Sequence, residues 1–227
     1  MKVVLFCGGM GMRMREYSDT IPKPLVPIGP RPIIWHLMKY YAHYGHKDFI
    51  LCLGHRGEAF KQYFLEYKEW ISNDFVLSRG GKDLELMNRD IEDWRITFVQ
   101  TGITANIGQR LCAVREHLEG EEAFLANYSD GLTDLPLDQH IAHFRRHGKI
   151  ASFLCTKPSQ TFHVVDIDAS DRVRGLREAS RAGMWVNAGF FVFKSSIFEY
   201  MQPGEELVLQ PFQRLAELAR LLRGAVG

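Results

Sequence analysis

Gly8-Gly9-Met10-Gly11-Met12-Arg13 follows directly on Val3-Val4-Leu5-Phe6-Cys7, a run that is apolar at every position. Glycines after a buried strand let backbone N–H groups turn toward an anion, and Arg13 adds a fork that can grip two phosphate oxygens. Nine intervening residues lead to Lys23, which stands between Pro22 and Pro24. The prolines remove backbone freedom on both sides of the lysine. A stiff mount is what a point charge needs if it must meet a migrating phosphoryl group. A Walker loop requires G-x-x-x-x-G-K-[ST], which this spacing does not provide. A dinucleotide fingerprint requires a third glycine where Met14 stands and a helix from that point. Glu16 to Pro30 is instead proline-rich without helical periodicity, which also disfavours a nicotinamide oxidoreductase. A long phosphate-wrapping loop carrying Lys23 remains.

Asp130-Gly131 follows the apolar run Ala123–Ala126 and Asn127-Tyr128-Ser129. A carboxylate at a strand end can hold Mg²⁺ between phosphates, whereas Asp-Gly can also make a type I′ turn. Asn187 beside Ala188-Gly189 reads by itself as a turn residue. His140, His143 and His147 share one helix face without a Cys or carboxylate in ligand spacing, so they read as a solvated basic face. Trp35-His36 reads as core packing with a satisfied imidazole. Cys7, Cys52, Cys112 and Cys155 form no C-x-x-C and each sits in an apolar run, as buried reduced thiols do.

These residues need a frame, and the chain alternates buried-strand runs with helical stripes. Phe49–Leu53, Ile96–Val99, Ala123–Ala126 and Ile150–Leu154 join Val3–Cys7 as strands. Helical spacing predicts helices over about Arg31–Tyr44, around Ala59–Tyr67, after Gly108, and through Leu137, Ile141 and Phe144. Such alternation argues for a mostly parallel sheet covered on both faces, with ligands beyond the carboxyl ends of the strands. His163–Ile167, Val173–Leu176 and Trp185–Phe193 read as an appended meander or mixed edge. Leu207–Leu222 reads as an amphipathic helix. The polar segment from Trp70 to Trp94 reads as an inserted hairpin that invites a homo-oligomer.

The 227 residues carry 46% apolar and 24% charged side chains, with 28 Lys and Arg against 27 Asp and Glu. That net charge of +1 excludes a general pull toward nucleic acid or anionic lipid. The apolar run before Gly8 is too short for a signal-peptide core, and no stretch is long enough to span a membrane. A cytoplasmic location is expected.

The run Gly8-Gly9-x-Gly11-x-Arg13 … Lys23-Pro24 resembles the signature of the sugar-1-phosphate nucleotidyltransferases. Pro24–Gly29, Arg31–Lys39, Asp48–Ile50, Thr101-Gly102, Arg110-Leu111, Tyr128 with Asp130-Gly131, and Asn187–Phe193 resemble one branch, the glucose-1-phosphate cytidylyltransferases. The resemblance runs from Met1 to roughly Leu218. It implies an α/β, nucleotide-diphosphosugar-transferase-like (Rossmann-like) sandwich forming a single domain over 1–227. Residues 1–155 would be the nucleotide-binding core and 156–227 a sugar-phosphate-binding portion, shorter than the family pattern.

The implied reaction is attack of a sugar-1-phosphate oxygen on the α-phosphorus of CTP, giving a CDP-sugar and pyrophosphate. The nucleophile is already an anion, so no general base is required and catalysis reduces to positioning and charge neutralisation. By the resemblance, Gly8, Gly9, Gly11, Met12 and Arg13 hold the triphosphate and Arg13 covers the leaving pyrophosphate. Lys23 supports the α-phosphate, Thr104 and Arg110 lie against the base, and Tyr128, Gly131 and Asn187 serve the sugar. Asp130 would hold Mg²⁺. Three departures stand out: Met12 replaces a threonine, Glu178-Ala179-Ser180 replaces Glu-Lys-Pro, and no Trp-x-x-Met-Asp-Thr with a second metal Asp follows the last helix. Arg177 or Arg181 could substitute for the missing lysine. These departures admit an alternative, a nucleotide-binding paralogue that is non-catalytic or takes another acceptor.

Overall fold

The computed structural model describes residues 1–9, 21–158 and 163–224. From the N-terminus, β1 (Val3–Phe6) is followed by a short ribbon of β2 (Pro27–Ile28) and β3 (Arg31–Pro32), helix α1 (Ile33–His43) and β4 (Asp48–Leu53). Helix α2 (Gly57–Leu65) leads to the hairpin β5 (Phe75–Ser78) and β6 (Asp83–Leu86), then to β7 (Arg95–Gln100). Helix α3 (Ile107–Ala113), β8 (Ala123–Tyr128), α4 (Leu137–His147) and β9 (Ala151–Thr156) continue the alternation. The hairpin β10 (His163–Ile167) and β11 (Val173–Glu178) precedes β12 (Val186–Lys194), α5 (Gln210–Glu217) and β13 (Leu221–Arg223).

Seven strands form the central sheet in the order β13-β9-β12-β8-β1-β4-β7. All neighbours are parallel except β12, which runs antiparallel to both β8 and β9. Strand residues alternate between two cores, which is why β1 can be apolar throughout. Val3 and Leu5 pack with Leu37, Tyr41, Phe60 and Ile141 from α1, α2 and α4. Val4 and Phe6 pack with Leu111, Phe212 and Leu215 from α3 and α5 on the opposite face. This is the α/β architecture that the alternation predicts, with helices on both faces.

Four expectations need correction. Val186–Lys194 is no appended edge: it inserts between β8 and β9 in the middle of the sheet. Its Phe191 and Phe193 face one core while Phe190 and Val192 face the other, so its aromatic run reflects burial on both sides. The predicted Leu207–Leu222 helix is confined to α5, because Ala219 adopts a left-handed φ of 53° and turns the chain. Leu221 and Leu222 then pair with Ala151 and Ser152 as an edge strand. A short apolar run serves either element, and here the open edge of β9 decides.

The third correction concerns His140, which is 1% exposed and meets Ser152 Oγ at 3.0 Å. It shares the buried stripe of α4 with Leu137, Ile141 and Phe144, leaving only His147 fully on the wet side. The fourth is Cys112, which is exposed, whereas Cys7, Cys52 and Cys155 are buried as expected. His36 is half-buried, and its Nε2 meets the Ile28 carbonyl at 2.9 Å. The Trp70–Trp94 segment does contain the expected hairpin, with Phe75 paired to Leu86 and Ser78 to Asp83.

Candidate active site

The carboxyl ends of β1, β4 and β8 converge on one point. Cys7 N–H donates to the Cys52 carbonyl at 3.0 Å, carrying the β1–β4 ladder one residue past β1. Across the other edge, Ser129 Oγ donates to the Phe6 carbonyl at 2.8 Å and ties the end of β8 to β1. Gly8 therefore leaves the sheet from a fixed position. Gly9 is exposed beside it, and Gly11, Met12 and Arg13 lie outside the described residues.

Arg110 explains why position 8 is glycine. An Asn106–Gln109 capping box starts α3, and the helix carries the Arg110 guanidinium beneath the Gly8 loop. There Nη2 donates to the Gly8 carbonyl at 2.9 Å, and Nη1 donates to the Leu53 carbonyl at 3.2 Å and Thr101 Oγ1 at 2.7 Å. A Cβ at Gly8 would lie 2.1 Å from Nη1, closer than any real packing allows. The residue is 2% exposed, and burial lowers its pKa while the neighbouring Cys52 and Cys7 thiols oppose that shift. A guanidinium so enclosed faces the backbone and braces the loop from below. Thr104 is exposed on the loop between Thr101 and α3.

Lys23 opens a single 3-10 turn, Lys23–Leu25, set by the Leu25 N–H donating to the Pro22 carbonyl at 2.8 Å. Its Nζ lies 2.6 Å from Asp130 Oδ2. Two residues 107 positions apart, Lys23 singled out by its flanking prolines and Asp130 by its place at a strand end and the family resemblance, thus meet at the end of β8. Both side chains stay accessible, at 40% and 38% exposure, so a ligand can enter between them.

Tyr128 and Asn187 form the next layer toward β12. The Tyr128 hydroxyl and the Asn187 side chain hydrogen-bond each other, while Asn187 Oδ1 accepts the Gly189 N–H at 2.8 Å. Gly189 has a φ of 79°, and a Cβ there would come within 2.3 Å of Tyr128 Cδ2. Burial pushes the Tyr128 hydroxyl up to about 12, helped by the Glu206 carboxylate, so it is a neutral hydrogen-bonding group at pH 7. Beside this pair opens a cleft of about 460 Å³, lined by Gly131, Leu132, Leu135, Leu154, Ala188 and Phe190.

Residues 2–211 match the family described as Nucleotidyl transferase. The chain belongs to that family. It is 37% identical over 224 residues to the glucose-1-phosphate cytidylyltransferase of Salmonella typhi, covering 98% of this chain and 86% of that one. It is 34% identical over 219 residues to a protein of Bacillus subtilis (strain 168) named probable glucose-1-phosphate cytidylyltransferase, covering 96% and 85%. These relatives bear out the resemblance read from the sequence and make the chain a nucleotidyltransferase enzyme. Among solved structures, a UDP-glucose pyrophosphorylase complexed with UDP-glucose superimposes with a TM-score of 0.70 at 18% identity, covering 100% of this chain and 90% of that one. HddC from Yersinia pseudotuberculosis complexed with GMP-PN gives 0.62 at 19% identity, covering 92% and 83%. At those identities the likeness is one of fold, and it agrees with the sheet described above.

Sequence reasoning about this nucleotidyltransferase missed Ser129 and Leu53, and it noted Thr101 only as part of the family resemblance without giving its hydroxyl a role. Ser129 adjoins Asp130 and could have been noticed for that reason. Leu53 contributes only a carbonyl, which no side-chain pattern reports. No helix among the described residues is long and apolar enough to cross a membrane.

Proposed function

We propose that the chain transfers the cytidylyl group of CTP to a sugar-1-phosphate, with glucose-1-phosphate the first acceptor to try. The observation that carries this reading is the meeting of Lys23 with Asp130 at the open end of β8, beside the Gly8 loop that Arg110 braces. The CTP preference draws on the names of the relatives, and the acceptor class on the same names.

In this reading a phosphate oxygen of the acceptor attacks the α-phosphorus of CTP from the side opposite the leaving group. The new P–O bond joins the two substrates, and the bond to the β-phosphate oxygen breaks to release pyrophosphate. Lys23 Nζ turns from Asp130 to the α-phosphate and offsets the charge that gathers there. The Gly8–Arg13 backbone and Arg13 itself hold the departing phosphates, while Thr104 and Arg110 fix the base side of the pocket, Arg110 through the loop it supports. Tyr128, Gly131 and Asn187 orient the acceptor sugar.

Asp130 would hold Mg²⁺. Its carboxylate is accessible, oxygen is the donor this cation prefers, and only one of its two oxygens is engaged by Lys23. Among the described residues no group of three or more His, Cys, Asp or Glu could hold a metal, so most ligands would be substrate oxygens and water. When bound, the cation neutralises phosphate charge.

Pyrophosphate release from purified protein with CTP, Mg²⁺ and a panel of sugar-1-phosphates tests the proposal. Release that depends on both substrates is expected. No release with any member of the panel, or faster release when CTP is replaced by UTP, dTTP, ATP or GTP, overturns the catalytic or the donor reading respectively. We also propose that the chain forms a homo-oligomer through the β5–β6 hairpin, which light scattering on the intact chain checks.

A further inference from the structure

Strand order decides which part of the acceptor each region can meet. Lys23 and Asp130 mark the transfer point at the end of β8. The loop braced by Arg110 lies on one side of that point, toward β1 and β4. An acceptor therefore extends the other way, over β12, β9 and β13. Asn187 on β12 stands opposite Cys155 on β9, and Arg223 on β13 stands opposite Phe153. Cys155 and Phe153 are two residues apart on one strand, so Asn187, Cys155, Phe153 and Arg223 share a face of the sheet. Phe153 and Tyr128 pack against the same core, which places that face on the side of α3 and Tyr128. With strands about 4.8 Å apart, Arg223 lies roughly 10 Å beyond Asn187, across two strand spacings.

At that far end three side chains form a group the described reaction does not use. Trp185, just before β12, has the Arg223 guanidinium 4.6 Å from its ring centroid and Lys157 Nζ 5.7 Å from it. Arg223 also acts on the Cys155 thiol, opposing the upward shift that burial causes. Both cations are exposed, and among the described residues neither pairs with a carboxylate. Arg177 and Arg181, the candidates for replacing the absent family lysine, are already matched with Asp166 at 3.9 Å and Glu178 at 3.3 Å. Two unpaired cations around one indole repel each other, and the ring face offsets only part of that repulsion. An anion between them would offset the rest.

We propose that Lys157, Trp185 and Arg223 form a subsite for a second anionic group, a carboxylate or a phosphate, on the end of the acceptor remote from its reacting phosphate. The proposal rests on the reading of Lys23 and Asp130 as the transfer point. It narrows the acceptor class to sugar-1-phosphates that carry a further negative charge, such as a uronic acid 1-phosphate or a hexose 1,6-bisphosphate.

Calorimetry on the full chain, saturated with Mg²⁺ and α,β-methylene-CTP, tests it without turnover. Glucose-1-phosphate, glucuronic acid 1-phosphate and glucose-1,6-bisphosphate are titrated into wild type, Arg223→Gln, Lys157→Gln and the double variant carrying both substitutions. Wild type should bind one or both doubly anionic acceptors about tenfold more tightly than glucose-1-phosphate, and the tighter one tells whether carboxylate or phosphate is read. Each variant should lose most of that advantage while its affinity for glucose-1-phosphate stays within twofold of wild type. Equal affinities for all three ligands, no measurable binding, or an advantage that survives in the double variant overturns the subsite. Pyrophosphate release is scored separately with CTP. Release with glucose-1-phosphate but no charge-dependent affinity sinks the subsite alone; charge-dependent affinity without release from any acceptor sinks the transfer reading alone.

Discussion

Arg110 and Arg223 stand at the same end of one sheet and are treated in opposite ways. Arg110 is 2% exposed, with donors aimed at the Gly8 and Leu53 carbonyls and at Thr101 Oγ1. Arg223 is exposed on an edge strand, beside the Trp185 indole ring and the Cys155 thiol. A buried guanidinium is tolerable only when its N–H groups are satisfied, so Arg110 has to be a fixed brace. An exposed guanidinium without an anion keeps its donors for whatever arrives. In the proposed reading, the nucleotide side of this enzyme is therefore built in advance, while the acceptor side is left for the ligand to complete.

The largest effect is expected where the two sides meet. Lys23→Ala should lower kcat by about a thousandfold, because a positioned charge at the transfer point is removed. The thermal midpoint should move by no more than about 2 °C, since the Lys23–Asp130 pair is accessible and such pairs add little to stability. Steady-state kinetics beside a melting curve checks both halves. Turnover within fivefold of wild type would move the transfer point elsewhere and dissolve the division drawn here.

The next effect tests the contrast directly through stability. Arg110→Met should cost about 2 kcal/mol, since it strands the buried Gly8 carbonyl, while the Leu53 carbonyl keeps the Thr101 N–H and hydroxyl as donors. Arg223→Met should change stability by no more than about 0.5 kcal/mol, as exposed substitutions do. Urea midpoints at constant slope measure the two. Similar costs for both variants would mean that Arg223 is also a structural brace.

The same contrast governs what was legible in the sequence. The strands of the nucleotide side announce themselves, because burial on both faces makes β1 and β4 apolar almost throughout. The glycine run, Lys23 and Asp130 stand out by spacing, although nothing local tells that the last two touch across 107 positions. Arg110 was visible as a residue but not as an enclosed one, since enclosure depends on a carbonyl of β4 and one of the Gly8 loop converging on it. The acceptor side was harder. Leu221 and Leu222 fit a helical stripe as well as a strand, and only the free edge of β9 selects the strand. The grouping of Lys157 with Trp185 and Arg223 joins three separate elements, so no window of sequence contains it.

A pH-dependent effect lies under the acceptor side, where His140 connects α4 to β9 and β13. Its Nε2 is 3.0 Å from Ser152 Oγ, and Gly224 just past β13 packs so closely that a Cβ there would be 2.7 Å from the same nitrogen. Burial pulls the His140 pKa down to about 4, with the His143 imidazole on the same helix contributing. The unfolded chain takes up that proton near pH 6.5 and the folded chain only near pH 4, so stability is complete above pH 6.5 and declines as pH falls toward 4. The loss attributable to His140 is up to roughly 3 kcal/mol. His46, held down to about 4 mainly by burial, adds a loss in the same window. Urea midpoints at pH 7.5 and pH 5 should therefore differ for wild type and differ less for His140→Gln, whose amide can still meet Ser152 without gaining a proton. An equal pH dependence in both proteins would free β9 and β13 from this imidazole.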